Sequence, residues 1–399
     1  MYKAYCRVYQ VVFKGVSGFL PWREPVLLQG ENSVRKLAGL IHEKGRRKVL
    51  VVTDKGIASL GLMNGMLEEM DRSGVAYVIF DQTVPNPTIE NIETALEMYK
   101  KSSCDGIVAF GGGSSMDCAK GIGARLVRPE KSIPQLKGVL KVRKRLPVLF
   151  AVPTTAGTGS EATIAAVISN PETHEKYPIN DVSLIPHYAV LDPNLTIGLP
   201  KHITSTTGMD ALTHAVEAYI GRSNTKETLI HSRNATKMIF RYLERAYENG
   251  GDLEAREQML KASYFAGVAF TRAYVGYVHA VAHTLGGFYG TPHGLANAVI
   301  LPYVLEYYGD AVHRSLAELA DLVGLGKSGD REEQKAKAFI REVRAMNKRM
   351  GIPEKIQGIQ EKDIPLMVER AHKESNPLYP VPRIFHRKDL ENIYRMIKE

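Results

Sequence analysis

Asp105-Gly-Ile-Val-Ala-Phe-Gly-Gly-Gly-Ser-Ser-Met-Asp-Cys-Ala-Lys120 is the stretch that decides the fold. Asp105 to Phe110 has the apolar composition of a buried strand, three glycines follow at once, and the residues from there to Lys120 suit a helix. A strand that runs through a glycine loop into a helix is the repeating unit of a parallel α/β sheet, because the helix carries the chain back before the next parallel strand. The glycines let backbone amides approach an anion, and the helix N-terminus adds partial positive charge; a pyrophosphate suits such a loop, and a simple tight turn is the alternative. The loop is not GxGxxG and does not follow the first strand, so the common dinucleotide fingerprint does not apply.

The pattern continues on both sides. Lys48–Asp54 (KVLVVTD) and Ala76–Asp81 (AYVIFD) read as buried strands, with helical spacing over 33–44, 60–73 and 89–102, and Val26–Leu28 starts a short strand. Downstream, Pro147–Pro153 is another strand, followed by a second loop rich in hydroxyls and glycine, Thr154–Ser160, and Ala189–Asp192 is the last strand of this half. Two such loops at the C-terminal ends of strands in one sheet favour a dinucleotide over a turn. Asp54 also ends a strand: it either caps a helix or accepts from ribose hydroxyls, in which case its charge favours NAD over NADP. Met1 to Gly15 alternates apolar and polar residues and reads as a strand. It lacks the compact apolar core of a signal peptide.

The segment 193–204, with Pro193, Gly198 and Pro200, is the expected boundary between an α/β part (1–200, of which 1–25 is an N-terminal extension) and a helical part (201–399). Beyond it, helical periodicity covers about 206–221, 226–248, 253–271, 275–285, 295–307, 310–323, 332–350, 362–373 and 388–398, with no convincing strand. Within it, His279–Gly294 (HAVAHTLGGFYGTPHG) concentrates histidines. His279 and His283 share a helical face at i, i+4, Gly286-Gly287 is expected to end that helix, and His293 follows Pro292 at the start of a new segment. Asp210 and His214 repeat the i, i+4 spacing upstream. One carboxylate and several imidazoles are borderline donors that suit divalent iron or zinc; buried histidines satisfied within a core are the bland reading. A metal beside a dinucleotide suggests an alcohol dehydrogenase reaction, in which the metal lowers the pKa of an alcohol oxygen and a nicotinamide takes the hydride.

Composition narrows the alternatives. The formal net charge is +9, but the basic runs Lys44–Lys48 and Lys137–Arg145 have no interleaved aromatics and no nucleic-acid motif, so no nucleic-acid partner is expected. No apolar run approaches the length of a membrane span. The three cysteines, Cys6, Cys104 and Cys118, are scattered and odd in number, which suits a reducing cytoplasm.

Four stretches carry a family resemblance: Gly111–Lys120, Pro153–Glu161 (PTTAGTGSE), Gly208–Tyr219 (GMDALTHAVEAY) and His279–Asn297. With Asn376-Pro377, they resemble the iron-containing (group III) alcohol dehydrogenases, which include lactaldehyde reductases, 1,3-propanediol dehydrogenases and butanol dehydrogenases. The resemblance implies a Rossmann-like N-terminal dinucleotide domain and an all-α C-terminal metal domain, the dehydroquinate synthase-like fold, with the metal in the cleft between them. It places the metal ligands on Asp210, His214, His279 and His293, and gives His283 a part in proton transfer or cofactor positioning. Cofactor contacts fall on Asp54, Asn86, Gly112, Gly113, Ser114, Ser115, Met116, Asp117, Thr154, Thr155, Thr158, Thr163 and Lys176, and Phe270 matches a residue near the substrate. The implied cofactors are NAD and Fe2+, with Zn2+ the alternative, and the implied substrate is a small alcohol or its aldehyde.

Two features depart from the family pattern. The first two dozen residues precede the usual start and are expected to add an edge strand that pairs across a dimer. Arg272 stands where a small polar residue is expected, and either favours a polar or acidic substrate or pairs with a carboxylate of the fold. A homodimer or larger homo-oligomer is expected. The competing readings are a zinc-dependent polyol oxidoreductase of the glycerol dehydrogenase type and a metal-dependent lyase or hydrolase.

Overall fold

The computed structural model describes residues 1–173 and 175–399. The chain divides into two compact units: one comprises Pro21–Leu199 and Gly251–Tyr264, the other Met1–Leu20, Pro200–Gly250 and Phe265–Glu399.

The first unit is built on a six-stranded sheet. In chain order its strands and helices are β1 (Val26–Gln29), α2 (Lys36–Glu43), β2 (Lys48–Val52), α3 (Lys55–Ser59), α4 (Asn64–Arg72), β3 (Ala76–Phe80), α5 (Ile89–Lys101), β4 (Gly106–Gly111), α6 (Gly113–Val127), α7 (Ile133–Leu136), β5 (Gly138–Val139), β6 (Val148–Pro153), β7 (Ala165–Asn170), β8 (Glu175–Asn180) and β9 (Tyr188–Leu191). The sheet order is β1-β9-β6-β4-β2-β3, and every pairing in it is parallel. The period-2 geometry of a strand divides its side chains between two cores. Val49, Val51, Val108, Phe110, Phe150 and Val152 pack on one side with α2 and α4, whereas Leu50, Val52, Ile107, Ala109, Leu149 and Ala151 pack on the other with α5 and α6. This two-sided burial is why these strands read as continuous apolar runs. A second, three-stranded sheet, β5-β8-β7, was not legible in the sequence: Pro178 and the charged Glu175-Lys176 disguise β8, which pairs antiparallel with β7.

Under the loops of this sheet lies a buried polar network. Lys120 of α6 is fully buried and donates to Ser160 Oγ (2.9 Å), Thr163 Oγ1 (2.9 Å) and the carbonyls of Thr163 (3.1 Å) and Ala165 (2.8 Å). Asp117, three residues earlier, accepts from Ser160 Oγ (2.8 Å) and Val167 N (3.0 Å). Burial lowers the Lys120 ammonium to about 8, against the pull of Asp117 and Glu161. Glu161 is buried with neither carboxylate oxygen hydrogen-bonded, and desolvation pushes its carboxyl up to about 7.

The second unit is helical. It opens with α1 (Tyr2–Ser17) and continues with α8 (Lys201–Ile220), α9 (Lys226–Glu248), the latter part of α10 (Leu253–Ala273), α11 (Tyr277–Tyr289), α12 (His293–Tyr308), α13 (His313–Leu322), α14 (Glu332–Arg349), α15 (Ile364–Ser375) and α16 (Arg387–Ile397). No helix among the described residues is long and apolar enough to cross a membrane.

Two expectations are corrected here. Residues 2–17 form a helix and not an edge strand. Cys6 and Gln10, four residues apart, are the buried pair, so the segment packs with helical spacing, and this tertiary contact overrides the β preference of its valines and tyrosines. Gly286-Gly287 do not end α11, which runs to Tyr289 and stops at Gly290, whose φ of 66° supplies the left-handed cap.

The Glu161 carboxyl binds its proton more tightly in the folded than in the unfolded chain, so its contribution to stability is full below about 4.5 and is lost as pH rises to about 7. Thermal unfolding of Glu161→Gln and wild type across pH 4–8 should show the variant gaining relative stability over that window, by at most about 3 kcal/mol, and then levelling off. A difference that does not change with pH would contradict the assignment.

Candidate active site

Each unit carries one cluster of the residues singled out in the sequence. In the sheet unit, β4 ends at Gly111, which has φ 147°, and a β-carbon there would lie 2.5 Å from Ser115 Oγ, so only glycine fits the turn. The β4 and β6 loops touch: Thr154 N donates to Gly111 O (3.0 Å), and a β-carbon on Gly113 would meet Thr158 Cγ2 at 2.7 Å. Gly112 caps the fifteen-residue α6, whose first amides open onto this junction. Thr154 Oγ1 is buried there without a hydrogen-bond partner, and Thr155 Oγ1 lies 3.5 Å from the position of a Gly112 β-carbon. Asn86, with φ 58°, donates its amide to Ser114 Oγ (3.2 Å) and accepts from Lys176 Nζ (2.7 Å). Ser263, midway along α10, accepts from Gly159 N (3.2 Å) and steadies the second loop.

Asp54 Oδ1 accepts from Ile57 N (3.0 Å) and caps α3, the first of the two roles expected of it; Oδ2 lies on the side of the glycine turn, 3.8 Å from a β-carbon built on Gly111. Asp54, Asn86, Gly112 to Ser115, Thr154, Thr155, Thr158 and Lys176 thus gather around the start of α6. Met116 and Thr163 are buried and Asp117 is partly so, and the polar side chains of Asp117 and Thr163 are engaged in the network beneath. An orphan hydroxyl, free amides at a helix start and a glycine turn that admits no side chain form a cradle that fits a pyrophosphate.

In the helical unit, α8 presents Asp210, His214 and Glu217 on one buried face, α11 presents His279 and His283, and α12 presents His293 and Asn297. The ligand atoms of Asp210, His214, His279 and His293 all lie within 4.8 Å of one another. Asp210 Oδ1 is 3.9 Å from His279 Nε2 and 3.6 Å from His293 Nε2. Bonds of about 2.1 Å in a tetrahedral site set ligand atoms about 3.4 Å apart, so the spacing is close to that of a four-coordinate ion. One amide nitrogen, Asn297 Nδ2, stands 2.6 Å from Asp210 Oδ1, 3.2 Å from His279 Nε2 and 3.1 Å from His293 Nε2. Two hydrogens cannot satisfy three acceptors. A divalent cation does, and the oxygen and nitrogen donors suit iron or zinc.

Carboxylates behind the histidines fix their rings. Glu217 Oε2 lies 2.6 Å from His279 Nδ1, and the same carboxylate accepts from Gly276 N and Val278 N, each at 2.9 Å. A carboxylate at Nδ1 draws the ring proton there and leaves the Nε2 lone pair for a metal. His283 stands outside the ligand set; its Nδ1 is 2.7 Å from Glu374 Oε1, and its ring stacks on His293 at a centroid distance of 5.3 Å. Phe270 stacks on His214 at 4.1 Å. Arg272 is ion-paired with Glu227, so of its two expected roles the structure displays the pairing within the fold. Sequence reasoning passed over Glu217, Asn297 and Glu374. The first two carried a signal: Glu217 lies one turn beyond His214, and Asn297 one turn beyond His293, on the same faces.

Comparison with known proteins follows the same lines. The family model described as iron-containing alcohol dehydrogenase matches residues 25–193, and the model for the C-terminal part of that family matches residues 204–397. The chain is 38% identical over 370 residues to a 1,3-propanediol dehydrogenase of Citrobacter freundii, covering 92% of this chain and 95% of the relative. It is 36% identical over 365 residues to an NAD-dependent methanol dehydrogenase of Bacillus methanolicus, covering 90% and 95%. A crystal structure of 1,3-propanediol oxidoreductase superposes with a TM-score of 0.90 at 37% identity, covering 95% of this chain and 100% of that one.

A β-carbon on Gly276 would lie 2.7 Å from Glu217 Oε1, so Gly276→Ala should displace the carboxylate from His279. Metal affinity measured by chelator competition is expected to fall about 10- to 100-fold. Unchanged affinity would show that Glu217 does not hold the ligand.

Proposed function

The chain belongs to the iron-containing alcohol dehydrogenase family, and from that premise we propose that Asp210, His214, His279 and His293 hold its iron and that the cradle at the start of α6 holds its NAD. The protein is an NAD-dependent alcohol dehydrogenase that interconverts a small alcohol or diol with its aldehyde. The observation that carries the residue assignment is the convergence of Asp210, His279 and His293 on the single nitrogen of Asn297.

Bound iron supplies Lewis acidity toward an alcohol or carbonyl oxygen, and bound NAD supplies the hydride acceptor. The chain's own residues do the rest. Glu217 holds the His279 ring with Nε2 unprotonated. Phe270, stacked on His214, sets an apolar ring beside the ligand set, where a small carbon chain would meet it. His283, with Nδ1 held by Glu374, keeps Nε2 for carrying the alcohol proton or orienting the nicotinamide. Asp54, with one oxygen spent on the α3 cap, offers the other to ribose hydroxyls, and its charge disfavours a 2′-phosphate. The reading includes a homodimer or larger assembly in a reducing cytoplasm, supported by three free, buried cysteines.

Protein prepared without oxygen and reloaded with Fe(II) should oxidise NADH with propanal, butanal or lactaldehyde, and His279→Ala should lose both turnover and bound iron. NADH binding without turnover on any aldehyde of this kind would overturn the substrate class. Asp54→Ser keeps a capping oxygen and removes the charge, so the NADPH-to-NADH ratio of kcat/KM should rise about tenfold or more, while an unchanged ratio would remove Asp54 from cofactor selection.

A further inference from the structure

Helix α1 lies before residue 25, where the family match begins, and its buried polar contacts to the rest of the helical unit gather on the segment Pro377-Leu-Tyr-Pro-Val-Pro382. That segment has three prolines in six residues, so it is short of amide donors while keeping all its carbonyls. Helix α1 supplies the missing donors. Gln10 Nε2 donates to Pro377 O (3.1 Å) and Tyr379 O (2.7 Å), Arg7 Nη1 to Val381 O (2.7 Å) and Arg7 Nη2 to Pro382 O (2.8 Å). Arg7 also donates to Gln10 Oε1 (2.8 Å), locking the two side chains together, and Gln10 is buried. The carbonyl of Pro380 accepts from a different element, Arg222 N (2.7 Å).

The segment so held carries a buried phenol toward the site. Tyr379 Oη donates to Glu374 Oε1 (2.8 Å), the oxygen that lies 2.7 Å from His283 Nδ1. Burial and the adjacent carboxylate raise Tyr379 far above the ordinary phenol range, so it stays a donor. Glu374 is thereby fixed from one side by Tyr379 and itself fixes the ring of His283, which stacks on the ligand His293. We propose that the N-terminal helix is a positioning element for the active site: Arg7 and Gln10 hold the proline segment, Tyr379 and Glu374 transmit that placement, and His283 is oriented by it. The proposal rests on the part given to His283 above, and it makes Arg7, Gln10, Tyr379 and Glu374 positioning residues that touch neither substrate nor cofactor.

The test uses the full iron-loaded enzyme and the aldehyde-dependent oxidation of NADH. Glu374→Leu is expected to lower kcat about 10- to 100-fold, and Glu374→Gln, which keeps an oxygen acceptor for His283 Nδ1, to recover most of that loss. The variant carrying Arg7→Met and Gln10→Leu should lower kcat about five- to tenfold, with iron content, NADH affinity and the KM for aldehyde unchanged. Combining it with Glu374→Leu should cost no more than Glu374→Leu alone, since both act through one orientation. A merely structural role would move iron content or KM along with kcat, and would not be rescued by the glutamine. Wild-type kcat in the Arg7→Met, Gln10→Leu variant, or losses that multiply in the combination, would overturn the inference. His283→Ala separates the two levels: a large loss there with no loss in the others sinks only the positioning chain, whereas no loss in His283→Ala sinks the reading of His283 and the inference with it.

Discussion

Acceptor atoms are brought together in the helical unit, and the rest of its architecture answers that constraint. Asp210 Oδ1 lies within 4 Å of the Nε2 atoms of His279 and His293, and Asp210 and His279 are almost wholly buried. Lone pairs facing one another in a low-dielectric core raise the free energy of the fold unless a positive group stands among them. The Asn297 amide is the protein's partial answer, and under the assignment proposed above a divalent ion would be the complete one. Glu217 then has a clear purpose: a buried carboxylate behind His279, with two backbone amides also on it, keeps the ring's other lone pair aimed inward.

The sheet unit applies the opposite strategy to an anion. Its cradle meets the glycine turn with amide dipoles and hydroxyls and brings Lys176 in only beside Asn86, while a second lysine, Lys120, lies buried below. Lys120 does not reach out to a phosphate; it holds the second loop against α6 through Ser160 and Thr163. Specificity follows from shape, because Gly111 and Gly113 leave no space for a side chain where the two loops meet. The ionised form of Glu161 is disfavoured in this setting, which couples the stability of the loop support to pH.

Much of this was legible beforehand where local and tertiary demands agree. The 226–248 helix was read with both ends correct, since a capping Thr225 and an amphipathic repeat mark it independently of any partner. The buried parallel strands were equally plain, because burial on both faces leaves a continuous apolar run. The readings failed where a partner distant in sequence decided the outcome. The valine- and tyrosine-rich start looks like a strand until Gln10 and Arg7 find the carbonyls of Pro377 to Pro382, some 370 residues away. Strand β8 was hidden by Pro178, which its pairing with β7 accommodates. The glycine pair 286–287 remains helical within α11, and the chain breaks only where Gly290 adopts a left-handed conformation.

By itself the sequence determined which atoms are available: a glycine loop between strand and helix, a carboxylate and imidazoles at i, i+4, and enough apolar periodicity to form a parallel sheet and a set of helices. These are local properties, set by spacing along one element. Tertiary structure alone decided which of those atoms meet. It placed His283 outside the ligand set although it shares a helix face with His279, brought Glu374 from another helix to hold it, and set the Asn297 amide at the centre of the ligands. The physical reason is that a lone pair's direction depends on what binds the other end of its side chain, and for His279 and His283 that partner lies on a different helix.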